Sequence, residues 1–476
     1  MPTTRARPEP SPILDPPHEV REIARTLEAA GYETWCVGGA VRDALLGLPH
    51  LDWDLATAAT PTQVKRAFRR TVPVGEAFGT IGVLDRHGRM HEVTTFRRDV
   101  QTDGRHAVVE FGASLDDDLA RRDFTINAIA YAPLSAVLYD PYNGREDLAR
   151  GVVRAVGQAR ERMVEDRLRA LRALRFAGRL GFRIEPSTWA AIVESAPHLP
   201  RLSRERVKQE MEKTMEQVAL PSRSMVLWRS AGALRALVPV LDAQPHWLAY
   251  AADAVAHPDA TRSGGRKRRR TLLRLATLFV GLPHDAVVRT LRELRFSNRD
   301  VDWIAALAVQ ASALRPPLRA ALEGPGAPGV SASPADATLR RWAADAGRTR
   351  LADTMRVAMA ALAAEVAHGA RDGDQEPWGD GGDLALRNAA PARARSLYRR
   401  ALRVAYRDPV DVADLAVDGD DLLREGGVSR GPALGTTLRR LRDAVVDDPR
   451  RNDRATLLAL VQAWNAEAAA LGGEGA

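Results

Sequence analysis

The sequence predicts an α+β protein: a mixed head of strands and helices, followed by helices almost to the end. Three observations predict it. Short runs rich in Val, Ile and Thr recur up to about residue 111, separated by Gly- and Asp-containing turns. Helical patterns interleave with them at 18–30, 40–47 and 61–69. After Gly157 the apolar spacing becomes helical throughout.

Residues 1–17 are Pro-rich and read as a disordered leader. Residues 18–30 place Val20, Ile23, Leu27 and Ala30 on one helical stripe, and Gly31 ends it. Strands are expected at 33–37, 52–56, 80–84, 90–96 and 107–111, with turns at Gly75, Arg86-His87-Gly88 and Asp103-Gly104. Beyond the head, helices are expected at 161–180, 187–196, 203–217, 222–237, 271–280, 284–294 and 298–314. The stretches 257–270, 323–335 and 371–383 read as mobile loops or linkers, the first ending in a basic run that solvent or RNA could cover. No internal repeat is found.

At 476 residues the chain is long enough for several domains. Its net charge of +8, carried mostly by Arg, favours a polyanionic partner. The single cysteine, Cys36, excludes an intrachain disulfide and a multi-cysteine zinc site, and its apolar neighbours place it in a buried strand. There is no signal-peptide pattern or long apolar span, so a cytoplasmic protein without membrane contact is expected.

Four strings carry chemistry. Asp52 and Asp54 stand at i and i+2 on an extended segment, which turns both carboxylates to one face. Such a pair is costly without a cation, and hard oxygen ligands suit Mg²⁺. A solvated strand end also carries Asp-x-Asp. The preceding Gly38-Gly39-Ala40-Val41-Arg42-Asp43 favours the metal reading, because a Gly-Gly turn brings backbone N–H groups close to a triphosphate and Arg42 can clamp its oxygens. Glu92, in His91-Glu92-Val93-Thr94-Thr95-Phe96-Arg97, supplies a third carboxylate as metal ligand or base, an exposed strand residue being the alternative. In Arg121-Arg122-Asp123-Phe124-Thr125-Ile126-Asn127, Arg122 and Asp123 can contact triphosphate and ribose, with Asn127 nearby. Finally Asp166, Arg169, Arg172 and Arg175 recur every three residues and would line one helical stripe. A carboxylate accepts from the exocyclic amine of cytosine or adenine, and a guanidinium donates to the adjacent ring nitrogen. Uracil and guanine present the reverse order, so one Asp/Arg pair can select C and A.

These strings in this order resemble the class II tRNA nucleotidyltransferases, or CCA-adding enzymes, and the related bacterial poly(A) polymerases. Both belong to the DNA polymerase β-like nucleotidyltransferase superfamily. The motif match runs over roughly 31–217 and includes Ser203-Arg204-Glu205-Arg206-Val207-Lys208-Gln209-Glu210. The resemblance implies a catalytic head over 18–157 and a base-recognition neck over 158–220. A body with a degenerate phosphohydrolase-like region over 221–322, an interrupted segment over 323–383 and a tRNA-binding tail over 384–476 would follow. Asp52 and Asp54 would hold two Mg²⁺ ions. Gly38, Gly39, Arg42 and Arg122 would hold CTP or ATP, and Asp166 and Arg169 would be the template, supported by Arg172 and Arg175. In the body, Val280 and Gly281 replace the phosphohydrolase ligands, so no such activity is expected.

Within the family, Leu415–Leu423, Gly431-Pro432-Ala433-Leu434-Gly435 and Asn452 resemble the carboxy-terminal segment of CCA-adding enzymes. The loop 97–106, whose loss marks CC-adding relatives, is retained. Addition of CCA to tRNA is therefore the expected activity, with A-only addition, CC-only addition and poly(A) synthesis as alternatives. A catalytically inactive RNA-binding module is the alternative outside the enzymes.

Overall fold

The structure is a computed structural model that describes residues 14–48, 52–102, 107–255, 264–323, 334–368 and 391–473. It divides into two compact units, residues 1–242 and 243–476.

The first unit is built on a mixed sheet of seven strands: β1 (Thr34–Val37), β2 (Asp54–Thr57), β3 (Thr71–Gly75), β4 (Thr80–Leu84), β5 (Met90–Thr95), β8 (Ala130–Ala132) and β9 (Val137–Tyr139). Its order is β3-β4-β5-β2-β1-β8-β9. The strands β6 (Arg97–Thr102) and β7 (Ala107–Phe111) form a separate hairpin. Helix α1 (His18–Ala29) buries Val20, Ile23 and Leu27 of the stripe its spacing predicts, with Ala24 beside them, whereas Ala30 lies past the last helical residue and is exposed. The helices α2 (Gly39–Leu45) and α3 (Pro61–Ala67) follow β1 and β2, and a Thr60–Gln63 capping box starts α3. On the sheet face covered by α4 (Leu115–Ala120), Val37, Ala56, Phe96, Leu115, Leu119 and Ala130 form one apolar cluster. Cys36 is buried, as expected, and burial pushes its thiol well above its ordinary range.

Four expectations need correction. The leader does not extend to residue 17: Leu14 is buried and its carbonyl accepts from Tyr131 Oη at 2.9 Å, while residues 1–13 lie outside the described residues. The helix expected over 161–180 is two, Ala159–Glu165 (α6) and Leu168–Leu180 (α7), broken at Asp166, whose backbone is extended (φ −146°, ψ 103°). The helix expected over 222–237 ends at Ser230 and resumes at Ala233, because Gly232 takes φ +76°. The basic run begins a helix, Gly264–Leu278, rather than a loop; Arg268 and Arg269 pair with Asp300 and Asp353. Residues 256–263 of that expected loop lie outside the described residues, as do 324–333 and 369–390 from the other two.

After α7 the first unit adds α8 (Pro186–Ser195) and α9 (Arg204–Gln217). The second unit is built of helices joined by turns, with no strand among its described residues. Its longest helix, Asn298–Glu323, buries Ile304, Leu307, Ala308 and Ala311. Near the carboxyl end, Val417, Leu422, Leu441, Val445, Leu457 and Val461 make a further core. Arg340 ties into this region, donating to Val446 O and Asp408 Oδ2 at 2.7 and 3.0 Å. Asn452 also has a packing role there: it accepts from Ala416 N and donates to Asp414 O. No helix among the described residues is long and apolar enough to cross a membrane.

Candidate active site

The acidic pair behaves as alternation requires. Asp52 and Asp54 are exposed while Trp53 and Leu55 are buried, so both carboxylates stand on the open side of the strand. Strand β2 runs parallel to β5 with Leu55 opposite Val93, which sets Asp54 beside Glu92, both away from the core. On the other side, β1 ends opposite Asp54 and turns at Gly38, whose φ is +77°. A side chain at Gly38 would come 3.0 Å from Arg122 Nη1 and 3.9 Å from Asp54 Oδ2. The glycine is needed both for its left-handed backbone and for this close approach.

Three carboxylates thus share this open face, with Arg122 acting on Asp54 and Arg89 beside Asp52. The strands packed beneath Asp54 remove water from it although its carboxylate still meets solvent. That desolvation, with repulsion from Glu92 and Asp52 and against attraction to Arg122, pushes its carboxyl up to about 6. Arg122 is held by Asp118, which is fully buried and accepts from Arg122 Nη2 at 3.0 Å and Arg121 Nη2 at 2.6 Å. Asp52 is met by Arg89 Nη2 at 3.5 Å. Among the described residues, no three His, Cys, Asp or Glu side chains are already grouped as a metal-binding cluster. What fits a cation here is the uncompensated negative charge: a raised carboxyl between two others, facing outward.

Arg42 lies beneath this surface. It is 2% exposed; its Nε and Nη2 donate to Asp43 Oδ1 at 2.8 and 2.6 Å, and Nη1 donates to Asn127 Oδ1 at 2.6 Å. Asn127 in turn donates to Asp123 Oδ1 at 2.9 Å, and Asp123 Oδ2 accepts from Arg172 Nε at 2.8 Å. Asp43 Oδ2 accepts from Arg179 at 2.8 Å. The structure therefore places Arg42, Asp123 and Asn127 in a bonded chain joining α2 to α7, beneath the open face. Phe176 sits inside it, with the guanidinium carbons of Arg42, Arg172 and Arg175 at 5.0, 5.4 and 4.4 Å from its ring centroid. Burial raises the carboxyl of Asp123, but Arg172 and Asn127 outweigh it and hold the group below its usual range. Arg175 donates to the buried Glu210 at 2.7 Å, so the Ser203–Glu210 string, on α9, braces α7.

The expected single stripe from Asp166 to Arg175 does not form, because Asp166 precedes α7. Its Oδ1 accepts from Leu168 N at 3.0 Å, starting that helix, and its Oδ2 accepts from Arg206 at 2.7 Å. Arg169 Nη1 donates to Glu165 Oε2 at 2.7 Å and Nη2 to Arg121 O at 3.0 Å. The sequence reading missed Asp43, Asp118, Phe176, Arg179 and Arg206. Only their lying inside motif strings could have flagged them, since each acts through a partner distant in sequence or beneath the surface.

A mixed sheet with exposed acidic residues beside a Gly-Gly turn, joined to bracing helices, defines a nucleotidyltransferase-type head. The "Poly A polymerase head domain" family matches residues 34–154, and the "Probable RNA and SrmB-binding site of polymerase A" matches 181–244. A CCA-adding enzyme of Lactiplantibacillus plantarum is 48% identical over 197 residues, 41% of this chain and 48% of that one. The sequence match thus spans about half the length of such curated relatives. The crystal structure of the Bacillus stearothermophilus CCA-adding enzyme in complex with CTP superposes with TM-score 0.71 at 30% identity, covering 94% of this chain and 97% of that one. A CCA-adding enzyme in an apo form shares the fold alone, with TM-score 0.63 at 20% identity. The chain belongs to the family of CCA-adding enzymes and poly(A) polymerases.

Proposed function

We propose that the protein adds CCA to the 3′ end of tRNA from CTP and ATP, without a nucleic-acid template. The observation that carries this reading is the row Gly38–Asp54–Glu92, with Arg122 against the glycine: a phosphate-approach turn directly beside uncompensated carboxylates. Asp52 and Asp54 would hold Mg²⁺, which neutralises charge developing on the transferring phosphoryl group. The 3′-hydroxyl oxygen of the RNA bonds to the α-phosphorus, the bond from that phosphorus to the β-phosphate bridging oxygen breaks, and pyrophosphate leaves. Glu92 is placed to receive the hydroxyl proton, and Arg122 with the Gly38-Gly39 backbone receives the triphosphate. Positioning and charge neutralisation supply most of the rate. Arg42, Asp123 and Asn127 fix the turn relative to α7 rather than touching phosphate.

Asp166 and Arg169 read the base in this scheme. Both are engaged with internal partners, so reading requires Asp166 to share or release Arg206 when an exocyclic amine arrives. We assign head, neck, body and tail to 18–157, 158–220, 221–322 and 384–476. The exposed Arg395, Arg399 and Arg403, with Tyr406, lie along one face of the helix Pro391–Arg407 and suit an RNA backbone. A tRNA substrate places the protein in the cytoplasm.

The test is product sizing. RNA ending before CCA, and RNA ending after CC, are incubated with CTP, ATP or both. Three additions to the first and one to the second support CCA addition. Extension of the second alone means A-only addition, long A tracts mean poly(A) synthesis, and no incorporation with retained RNA affinity means a binding module.

A further inference from the structure

The carboxylate face of the head sheet continues past the acidic residues onto a floor with no role in the scheme above. Ladder partners in neighbouring strands share a face. Val72 is opposite Gly82, Gly82 is opposite Glu92, and Asp54 lies beside Glu92. One row therefore crosses the sheet from Val72 through Gly82, Glu92 and Asp54 to the Gly38 turn. Met90, two residues before Glu92, lies on the same face.

The floor is apolar and open. Val72, Val74 and Met90 are 38%, 45% and 42% exposed. They are contiguous: a Cβ on Gly82 would come 2.6 Å from Met90 Sδ and 2.9 Å from Val74 Cγ2, so both side chains lean over the glycine. Strand β3 is the edge of this sheet. Contiguous exposed apolar side chains beside a polar site mark a surface that another molecule covers.

The layout selects the occupant. In-line transfer puts the attacking and leaving oxygens on opposite sides of the α-phosphorus. Pyrophosphate departs on the Gly38–Arg122 side, so the hydroxyl arrives from the Glu92–Gly82 side. A nucleoside reaching Glu92 from there sets its base over the floor. Stacking on apolar side chains and sulfur tolerates any base, because every base has a π-face. That tolerance is needed where each addition leaves a new terminal base.

We propose that Val72, Val74 and Met90 form a stacking platform for the terminal base of the acceptor RNA, with Gly82 keeping the approach to Glu92 open. The proposal rests on the nucleotidyl-transfer reading.

The test compares an RNA acceptor with the same acceptor lacking only its terminal base, the 3′-hydroxyl kept. Each is given to the native chain, to Val74→Ser with Met90→Ser, and to Met90→Leu. In the native chain, base removal should raise KM for RNA about tenfold. The double variant should show about that rise with intact RNA, little further rise with the abasic one, and an unchanged KM for CTP. Met90→Leu, which keeps the floor apolar, should retain the KM difference between the intact and abasic acceptors that the double serine variant loses. Should the double substitution disturb the sheet, seen as a changed KM for CTP, Val72→Ser on the edge strand repeats the comparison. Equal penalties for base removal in native and variant chains overturn the platform alone, whereas no incorporation by the native chain overturns the transfer reading with it.

Discussion

Asp54 and Asp123 are both aspartates within reach of an arginine in the same unit, and their carboxyls are displaced in opposite directions. At Asp54 desolvation and the neighbouring Glu92 and Asp52 outweigh Arg122, and the group rises to about 6. At Asp123 burial is deeper, yet Arg172, Asn127 and the Phe124 N–H together hold it below its ordinary value. The difference is compensation. The buried carboxylates tied to α7 have their partners in the chain: Asp43 has Arg42 and Arg179, Asp123 has Arg172, and Glu210 has Arg175. The carboxylates on the open row have too few. Charge left unbalanced on a rigid sheet calls for a partner from outside, whereas charge balanced within the chain is architecture.

The largest effect expected from this contrast is at Asp54. Asp54→Asn should lower nucleotide incorporation by roughly a thousandfold, equivalent to the several kcal/mol of charge stabilisation that a metal supplies. Circular dichroism and RNA affinity should stay native. A comparable loss of RNA affinity would instead mean damage to the fold. On the compensated side the damage should appear as instability. Glu210→Ala leaves Arg175 buried without its carboxylate and should cost about 3–5 kcal/mol in denaturant unfolding. Replacing both, Arg175→Met with Glu210→Leu, should recover most of that loss. If Glu210→Ala were as stable as the native chain, the brace between α7 and α9 would carry no energy.

Base choice should respond less strongly. Asp166→Ala with Arg169→Ala should reduce discrimination of CTP and ATP against UTP and GTP by about ten- to a hundredfold, with a smaller change in triphosphate affinity. Unchanged discrimination in competition assays would remove the pair from the template role.

How much of this was legible follows from the range of the forces involved. Asp52 and Asp54 could be placed on one face because Trp53 and Leu55 alternate with them, a pattern of period two that needs no tertiary information. The break at Asp166 could not be foreseen. Glu165-Asp166-Arg167-Leu168-Arg169 contains no Gly or Pro, and the carboxylate that starts α7 is also held by Arg206, 40 residues away. Strand β3 was missed for a local reason, since Pro73 sits within it, and proline is tolerated there because β3 is the sheet edge. Arg42 read as a phosphate clamp because sequence shows a charge but not its depth. Its partner Asn127 lies 85 residues on.

The smallest predicted effect is the most direct check of the electrostatic contrast. With its folded-state carboxyl near 6 and its ordinary value near 3.8, Asp54 binds a proton more readily in the folded chain than in the unfolded one. Folding with this group ionised is therefore penalised at pH values above about 6. The penalty shrinks as pH falls from there and is gone below about 4. In metal-free buffer, Asp54→Asn should stabilise the protein at pH 7.5 by about 1 kcal/mol, a figure already reduced for solvent screening at this open site. The gain should fade at pH 4.5. Asp123→Asn should do the reverse, losing stability at pH 7.5 because an ionised, partnered carboxylate has been removed. Thermal melts of the two variants across that pH range should therefore move apart with rising pH. If both moved the same way, the division between unbalanced and balanced carboxylates would fail.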